Sequence, residues 1–249
     1  MQTKPKVILL AAGRGRRFGR RTALTPKCLI PLIKGETLLA RYLQAFRKLG
    51  LRDIVVVVGH QKEKIVEACV EDSRGLSIRF PFNPLFKKGS IVSLHTAREE
   101  MMGDCLVMDA DVYFRPEQLK TLLRAKKSSF LIDPQSKSSG EEMMLMAPAT
   151  KASAGKRGAR PCHISKKVDP RLRSLGEATG FLLLRKKDAQ LLAQILEKMV
   201  RSGKTECEYE ESYNALMKTR RLGYEKISGF WSEMDFEEDL LKILKAVTP

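Results

Sequence analysis

Val7-Ile8-Leu9-Leu10-Ala11-Ala12 runs without a polar residue and then breaks into Gly13-Arg14-Gly15-Arg16-Arg17-Phe18-Gly19. A short apolar run without polar alternation reads as a strand buried on both faces, as in a parallel sheet covered by helices. Glycines at its end let backbone N–H groups come close to an anion, and arginines add bidentate charged donors. A sharp strand-end turn with solvated arginines is the competing reading of the glycine spacing alone. Two common phosphate loops are excluded. Phe18 stands where a dinucleotide fingerprint needs its third glycine, and no Gly-Lys-Ser/Thr follows.

The rest of the first half repeats the strand-and-helix rhythm. Residues 38–49 carry Leu38, Leu39, Tyr42, Leu43, Phe46 and Leu49 at helical spacing and stop at Gly50, which predicts an amphipathic helix. Residues 54–58 are β-branched and continuous, closed by Gly59, and predict a second buried strand. Helices are expected over 62–70, 90–101 and 116–125, and strands over 76–80 and 104–108. This alternation indicates βαβ units and a parallel sheet. Sites of open α/β sheets lie beyond the carboxyl ends of the strands. That rule gathers the Gly13 loop, Gly59-His60 and Asp109-Ala110-Asp111 along one edge.

The second half is less regular. Residues 143–146 and 162–165 read as a β-hairpin joined by the basic connector 148–160. A strand is expected over 180–184 and another over 224–227, with helices over 188–200, 209–218 and 236–246. No linker divides the chain, so 1–249 is read as a single domain, with a nucleotide-binding half to about 125 and an acceptor-binding half from about 126.

Charge and cysteine usage narrow the chemistry. Lys and Arg number 46 against 29 Asp and Glu, a net charge of +17 that attracts polyanions: nucleotides, nucleic acid or an anionic membrane surface. Aromatic residues make up only 6% and show no interleaving suited to base stacking, so no nucleic-acid partner is expected. Five scattered cysteines without a CxxC pair, and three histidines, suggest neither a disulfide framework nor zinc. Any metal should be a hard, carboxylate-bound ion such as magnesium. The N-terminal apolar run is too short for a signal peptide, and a cytoplasmic location is expected.

Two acidic segments are candidate ligands. Asp109 and Asp111 at i and i+2 project to one face of a strand end and suit a divalent ion carrying triphosphate; a capping pair before Arg115-Pro116 is the alternative. Trp231-Ser232-Glu233-Met234-Asp235-Phe236-Glu237-Glu238-Asp239-Leu240 is the second, and part of it caps and charges the first turn of the last helix.

Ala11-Ala12-Gly13-x-Gly15-x-Arg17 followed by Pro26-Lys27-x-Leu29 resembles the signature of nucleotidyltransferases that make nucleotide-activated sugars and alcohols. That resemblance implies a Rossmann-like, GT-A-like α/β fold: a central mostly parallel mixed sheet flanked by helices, with a small β-hairpin acceptor subregion. It implies that Leu10, Ala11, Ala12, Gly13 and Gly15 wrap a nucleoside triphosphate while Arg17 and Lys27 act as the catalytic cations. It further implies Gly59, Asn83, Ser90 and Asp109 at the nucleotide, and Asp111 and Asp235 as ligands of Mg2+. The likeness narrows toward phosphocholine cytidylyltransferases, and is similar to inositol-1-phosphate cytidylyltransferases. The segments that carry it are Asn83-Pro84-Leu85-Phe86 with Gly89-Ser90, Val58-Gly59-His60, Glu142-Met143, Ile164-Ser165-Lys166 and Gly176-Glu177-Ala178-Thr179-Gly180. By that likeness Glu142, Lys166, Glu177 and Trp231 contact the acceptor, and the partners are CTP and a phosphorylated alcohol. Peripheral association with an anionic membrane would fit an enzyme that feeds lipid synthesis. His60 departs from the usual tyrosine and Val112 from a polar residue. A choline headgroup would want an aromatic cage, for which Trp231, Phe230 and Tyr113 are candidates, whereas the basic connector favours a polyol phosphate. A uridylyl- or thymidylyltransferase acting on a sugar 1-phosphate, and a non-catalytic nucleotide sensor, are the alternatives.

Overall fold

The structure, a computed structural model, describes residues 4–19, 21–149 and 159–248. In chain order the elements begin β1 (Lys6–Ala11), α1 (Arg21–Leu24), α2 (Leu38–Leu49), β2 (Asp53–Val58), α3 (Lys62–Glu71), β3 (Ser77–Arg79) and α4 (Ile91–Thr96). They continue with β4 (Cys105–Asp109), β5 (Val112–Tyr113), α5 (Leu119–Arg124), β6 (Ser129–Asp133), β7 (Met144–Pro148) and β8 (His163–Ser165). The chain closes with β9 (Leu172–Leu184), α6 (Lys186–Arg201), α7 (Glu210–Thr219), β10 (Gly223–Lys226), β11 (Ser232–Glu233) and α8 (Glu237–Val247).

The main sheet runs β10-β6-β9-β4-β1-β2-β3. Its pairs are parallel except at β9, which lies antiparallel to both β4 and β6. The first part of β9 leaves the sheet to pair with β7, and β7 pairs with β8 to form the expected hairpin. Alternation along β1 sends Val7 and Leu9 to one hydrophobic layer, with α2 and α8, and Ile8 to the other, with α4, α6 and α7. Thr37 caps α2 by accepting the Ala40 N–H at 3.1 Å, and Gly50 ends it in the left-handed region.

Two expectations are corrected, and one strand was not foreseen. The helix read over 90–101 is α4 followed by a separate 3-10 turn at Arg98–Glu100. Thr96 Oγ1 donates back to the Val92 carbonyl at 2.7 Å, and such a bond together with β-branched Ile91 and Val92 weakens helical continuation. β9 starts at Leu172 rather than 180, because Ser174, Gly176, Glu177 and Thr179 interrupt its apolar pattern. β6 went unread: its apolar core, Phe130-Leu131-Ile132, is too short to stand out between serines and Asp133-Pro134. Most of the connector 148–160 lies outside the described residues.

Candidate active site

Backbone geometry explains the Gly13 loop. Gly15 sits at φ 61°, and a Cβ there would lie 2.9 Å from Thr22 Cγ2, so this position excludes side chains on two grounds. Thr22, buried on α1, donates its hydroxyl to the Gly15 carbonyl at 2.8 Å and ties the loop to the helix after it. A Cβ on Gly13 would meet nothing within 4 Å. Gly13 itself lines the cleft, and the space beside it is open.

Two further connections bring acidic residues to the same place. β5 pairs antiparallel with β11, matching Val112 with Glu233, and Met234 N–H donates to the Asp111 carbonyl at 2.9 Å. The Tyr42 hydroxyl on α2 lies 2.6 Å from the Asp109 carbonyl and 2.9 Å from that of Val112, fixing the turn between β4 and β5. Carboxylate oxygens of Asp111, Glu233 and Asp235 consequently lie within 4.8 Å of one another. Lys27 Nζ stands between two of them, 2.7 Å from Asp111 Oδ2 and 2.7 Å from Asp235 Oδ1. Arg17 reaches Asp235 Oδ2 at 2.7 Å and Glu141 Oε2 at 3.3 Å. Glu141 also faces Lys166 at 3.5 Å, so one glutamate links the glycine loop to the hairpin side.

These groups line a cleft of about 510 Å³ at the carboxyl ends of β1 and β4. Leu10, Ala11, Ala12, Gly13, Gly15, Arg17, Lys27, Ser90, Asp109, Asp111, Lys166 and Asp235 all lie on its wall. Other expected residues stand outside it. Gly59 packs against Ala12 and Phe86, where a Cβ would lie 2.6 Å from Phe86 Cβ. Asn83 is buried and spends its amide on Ser93 Oγ at 3.0 Å and on the Leu85 N–H at 2.9 Å, so it supports the cleft-lining Ser93 without lining the cleft itself. Glu142 accepts from Ser139 N and Oγ, and Glu177 from Ser136 Oγ. Trp231 donates its indole N–H to Asp133 Oδ2 at 2.9 Å. These three acceptor candidates spend polar groups on local partners and are not among the residues lining the cleft. Phe230 and Tyr113 pair with each other, 5.7 Å between ring centroids, and do not line the cavity either.

Several cleft residues escaped the sequence reading: Glu141 and the turn that opens α7, Glu208-Tyr209-Glu210, with Tyr213 one helical turn on; Glu233 was read only within its acidic segment, with no ligand role of its own. Glu233 was within reach of the sequence, sitting two places before Asp235. The α7 residues carry no motif, and only the fold brings them across from the glycine loop. Tyr209 donates its hydroxyl to Asp109 Oδ2 at 2.5 Å, so Asp109 faces the cleft as a held group outside the three-carboxylate cluster.

Crowded carboxylates shift their own ionisation. Burial and the charges of Asp111 and Glu210 push Asp109 well above the usual carboxylate range. Glu233 is solvent-exposed at the cleft mouth, yet the protein packed around it and the charges of Asp111 and Asp235 beside it push its carboxyl in the same direction. Glu210 is pushed up to about 8, chiefly by burial. Burial works against the Lys27 charge, yet Asp111 and Asp235 outweigh it and raise its pKa, keeping the ammonium protonated. The donors are all hard carboxylate oxygens, and a cation already sits between two of them. Asp111, Glu233 and Asp235 therefore fit a divalent ion of the magnesium type.

The loop, the carboxylates and the sheet order define a nucleotidyltransferase architecture. Residues 7–194 match the MobA-like NTP transferase domain, and the chain belongs to that family. Among its relatives is the CMP-5'-(3-aminopropyl)phosphonate synthase of Streptomyces rubellomurinus, 32% identical over 125 residues, which is 50% of this chain and 20% of that protein. The choline-phosphate cytidylyltransferase of Streptococcus pneumoniae is 31% identical over 109 residues, 43% of this chain and 45% of that one. The chain thus spans less than half the length of these relatives. Among solved structures, the inositol-1-phosphate CTP transferase of T. maritima superposes with a TM-score of 0.77 at 18% identity, covering 100% of both chains. The CTP:phosphocholine cytidylyltransferase of S. pneumoniae gives 0.73 at 20%, covering 99% of this chain and 100% of that one. A UDP-glucose pyrophosphorylase gives 0.78 at 15%, covering 97% of each. The fold is shared across cytidylyl and uridylyl enzymes.

Proposed function

We propose that the chain is a magnesium-dependent cytidylyltransferase that moves CMP from CTP to a phosphorylated alcohol carrying a cationic amine. The observation that carries the chemistry is the joining of the glycine loop, Arg17 and Lys27 to the Asp111, Glu233 and Asp235 cluster at one strand edge. An acceptor phosphate oxygen attacks the α-phosphorus, a new P–O bond forms, and the bond to the β-phosphate breaks to release pyrophosphate. The attacking phosphate is already an anion, so no general base is required.

Catalysis of this kind is positioning plus charge stabilisation. Gly13 and Gly15 give the triphosphate close backbone approach. Arg17 and Lys27 offset the charge that gathers on the departing pyrophosphate. Asp111, Glu233 and Asp235 would hold the metal, which when bound neutralises phosphate oxygens. CTP is favoured by kinship with two cytidylyl relatives. The cationic acceptor is favoured by the Glu208 carboxylate and the Tyr209 and Tyr213 rings on the cleft wall, with Glu210, its pKa pushed up to about 8, adding a hydrogen-bonding carboxyl. This wall replaces the polyol preference drawn from the basic connector. Lys166 stands on the hairpin side to meet the acceptor phosphate once Glu141 releases it.

The test crosses CTP, UTP, dTTP, GTP and ATP with phosphocholine, 2-aminoethylphosphonate, inositol 1-phosphate and glucose 1-phosphate, reading pyrophosphate. Release with CTP and the two amine-bearing acceptors is expected. Release with UTP and glucose 1-phosphate alone would assign the chain to sugar activation.

A further inference from the structure

The end of the sheet opposite the cleft carries an unbalanced set of cations. Three loops meet there: the α5–β6 loop with Lys126 and Lys127, the start of α6 with Lys186 and Lys187, and the α7–β10 loop with Arg221. Ser128 ties them together. Its hydroxyl accepts the Arg185 N–H at 2.9 Å and donates to Asp188 Oδ2 at 2.5 Å, and its carbonyl accepts the Gly223 N–H at 2.8 Å. The acidic residues of this surface are already committed. Asp104 pairs with Arg185 at 2.6 Å and accepts the Lys186 N–H at 2.8 Å; Asp188 pairs with Arg220 at 2.5 Å. Lys126, Lys127, Lys186, Lys187 and Arg221, with Arg124 and Lys218 at the ends of their helices, are exposed and form no ion pair among the described residues.

Two of these lysines occupy the first turn of a helix, where the dipole disfavours positive charge. The fold gains nothing electrostatically by placing them there. Met102, 64% exposed, precedes by two residues Asp104, which accepts the Lys186 N–H, and sets an apolar side chain at the same end of the sheet. Among the described residues no exposed large aromatic side chain accompanies the patch, so it offers no platform for stacking bases. We propose that this sheet end is a docking surface for an anionic lipid bilayer, with the lysines on the headgroups and Met102 in the interface. The cleft then faces away from the membrane and stays open to soluble triphosphate and acceptor. Juxtamembrane lysines each contribute about 1 kcal/mol at an anionic surface, which is roughly a fivefold change in partition.

The experiment is sedimentation of the whole chain with vesicles of equal parts phosphatidylcholine and phosphatidylserine, against pure phosphatidylcholine and against duplex DNA. The wild type is expected to partition into the anionic vesicles, to be released by salt, and to bind DNA more weakly. Lys126→Gln/Lys127→Gln and Lys186→Gln/Lys187→Gln should each lower partition roughly tenfold or more. The Lys242→Gln/Lys245→Gln pair on α8 should leave it unchanged, and Met102→Ser should weaken it without altering charge. Melting curves and CTP binding, measured on every variant, separate lost docking from lost folding. Equal partition into both vesicle types would overturn the proposal. So would DNA binding without vesicle binding, or docking that survives loss of all four lysines in a folded protein.

Discussion

Lys27 lies 2.7 Å from both Asp111 and Asp235, so the side chain assigned to the triphosphate is also the counter-ion of the carboxylates assigned to the metal. Removing it leaves Asp111 without a cation, and Asp235 with Arg17 alone, in a site only partly open to water. Lys27→Met is expected to cost about 2–3 kcal/mol of stability without metal, somewhat less than a fully buried pair would. Added Mn2+ should recover much of that loss, and thermal melts with and without the ion read both effects. Its kcat should fall by about 10²–10³, the usual scale for losing a charge-stabilising donor. Glu210 gives a second residue-scale prediction. Its pKa of about 8 in the folded protein stands above the ordinary 4.5. The stability it allows is complete below 4.5 and is lost as pH rises through about 8. The melting temperature should decline across that window, and Glu210→Gln should flatten the decline.

At the scale of elements, the site depends on short pieces that hold two distant segments together. The two-residue strands β5 and β11 carry Asp235 to Asp111 across more than a hundred residues of sequence. The bulge in β9 works similarly: Gly180 sits at φ 76°, and a Cβ there would lie 2.5 Å from Asp109 Oδ2. Gly180→Ala should cost about 1–3 kcal/mol through backbone strain. It should also separate Asp109 from Tyr209, lowering kcat more than it changes the KM for CTP. The sequence made β1, α2 and β2 legible because unbroken burial or clean helical spacing marks each of them. The glycine loop and Asp109-Ala110-Asp111 were legible from residue types at a strand end, whereas Lys27 and Asp235 were legible only through the resemblance to nucleotidyltransferases. β5, β6 and β11 were hidden because two to five residues hold no period. Glu141, Tyr209 and Glu210 were hidden because only tertiary packing brings them to the cleft. Glu142, Glu177 and Trp231 shared the motifs, yet Ser139, Ser136 and Asp133 hold their polar groups elsewhere.

Across the whole molecule, the two ends of the sheet differ in electrostatic character. The cleft end balances Arg17, Lys27 and Lys166 against a ring of carboxylates, whereas the opposite end leaves its lysines unpaired. Salt should therefore weaken vesicle docking steeply, through screening of exposed charge, and affect the KM for CTP less. Chelation of divalent ions should abolish turnover and leave the fold intact, since Lys27 remains as counter-ion; circular dichroism beside the assay reads the difference. The most direct measurement is pyrophosphate release by the whole chain with Mg2+, CTP and phosphocholine, run beside UTP with glucose 1-phosphate and beside Lys27→Ala. Release from CTP and phosphocholine is expected, with little from UTP and glucose 1-phosphate and a fall of at least about a hundredfold in the variant. Near-normal turnover by a folded Lys27→Ala protein, or release from the sugar pair alone, would contradict the proposed activity.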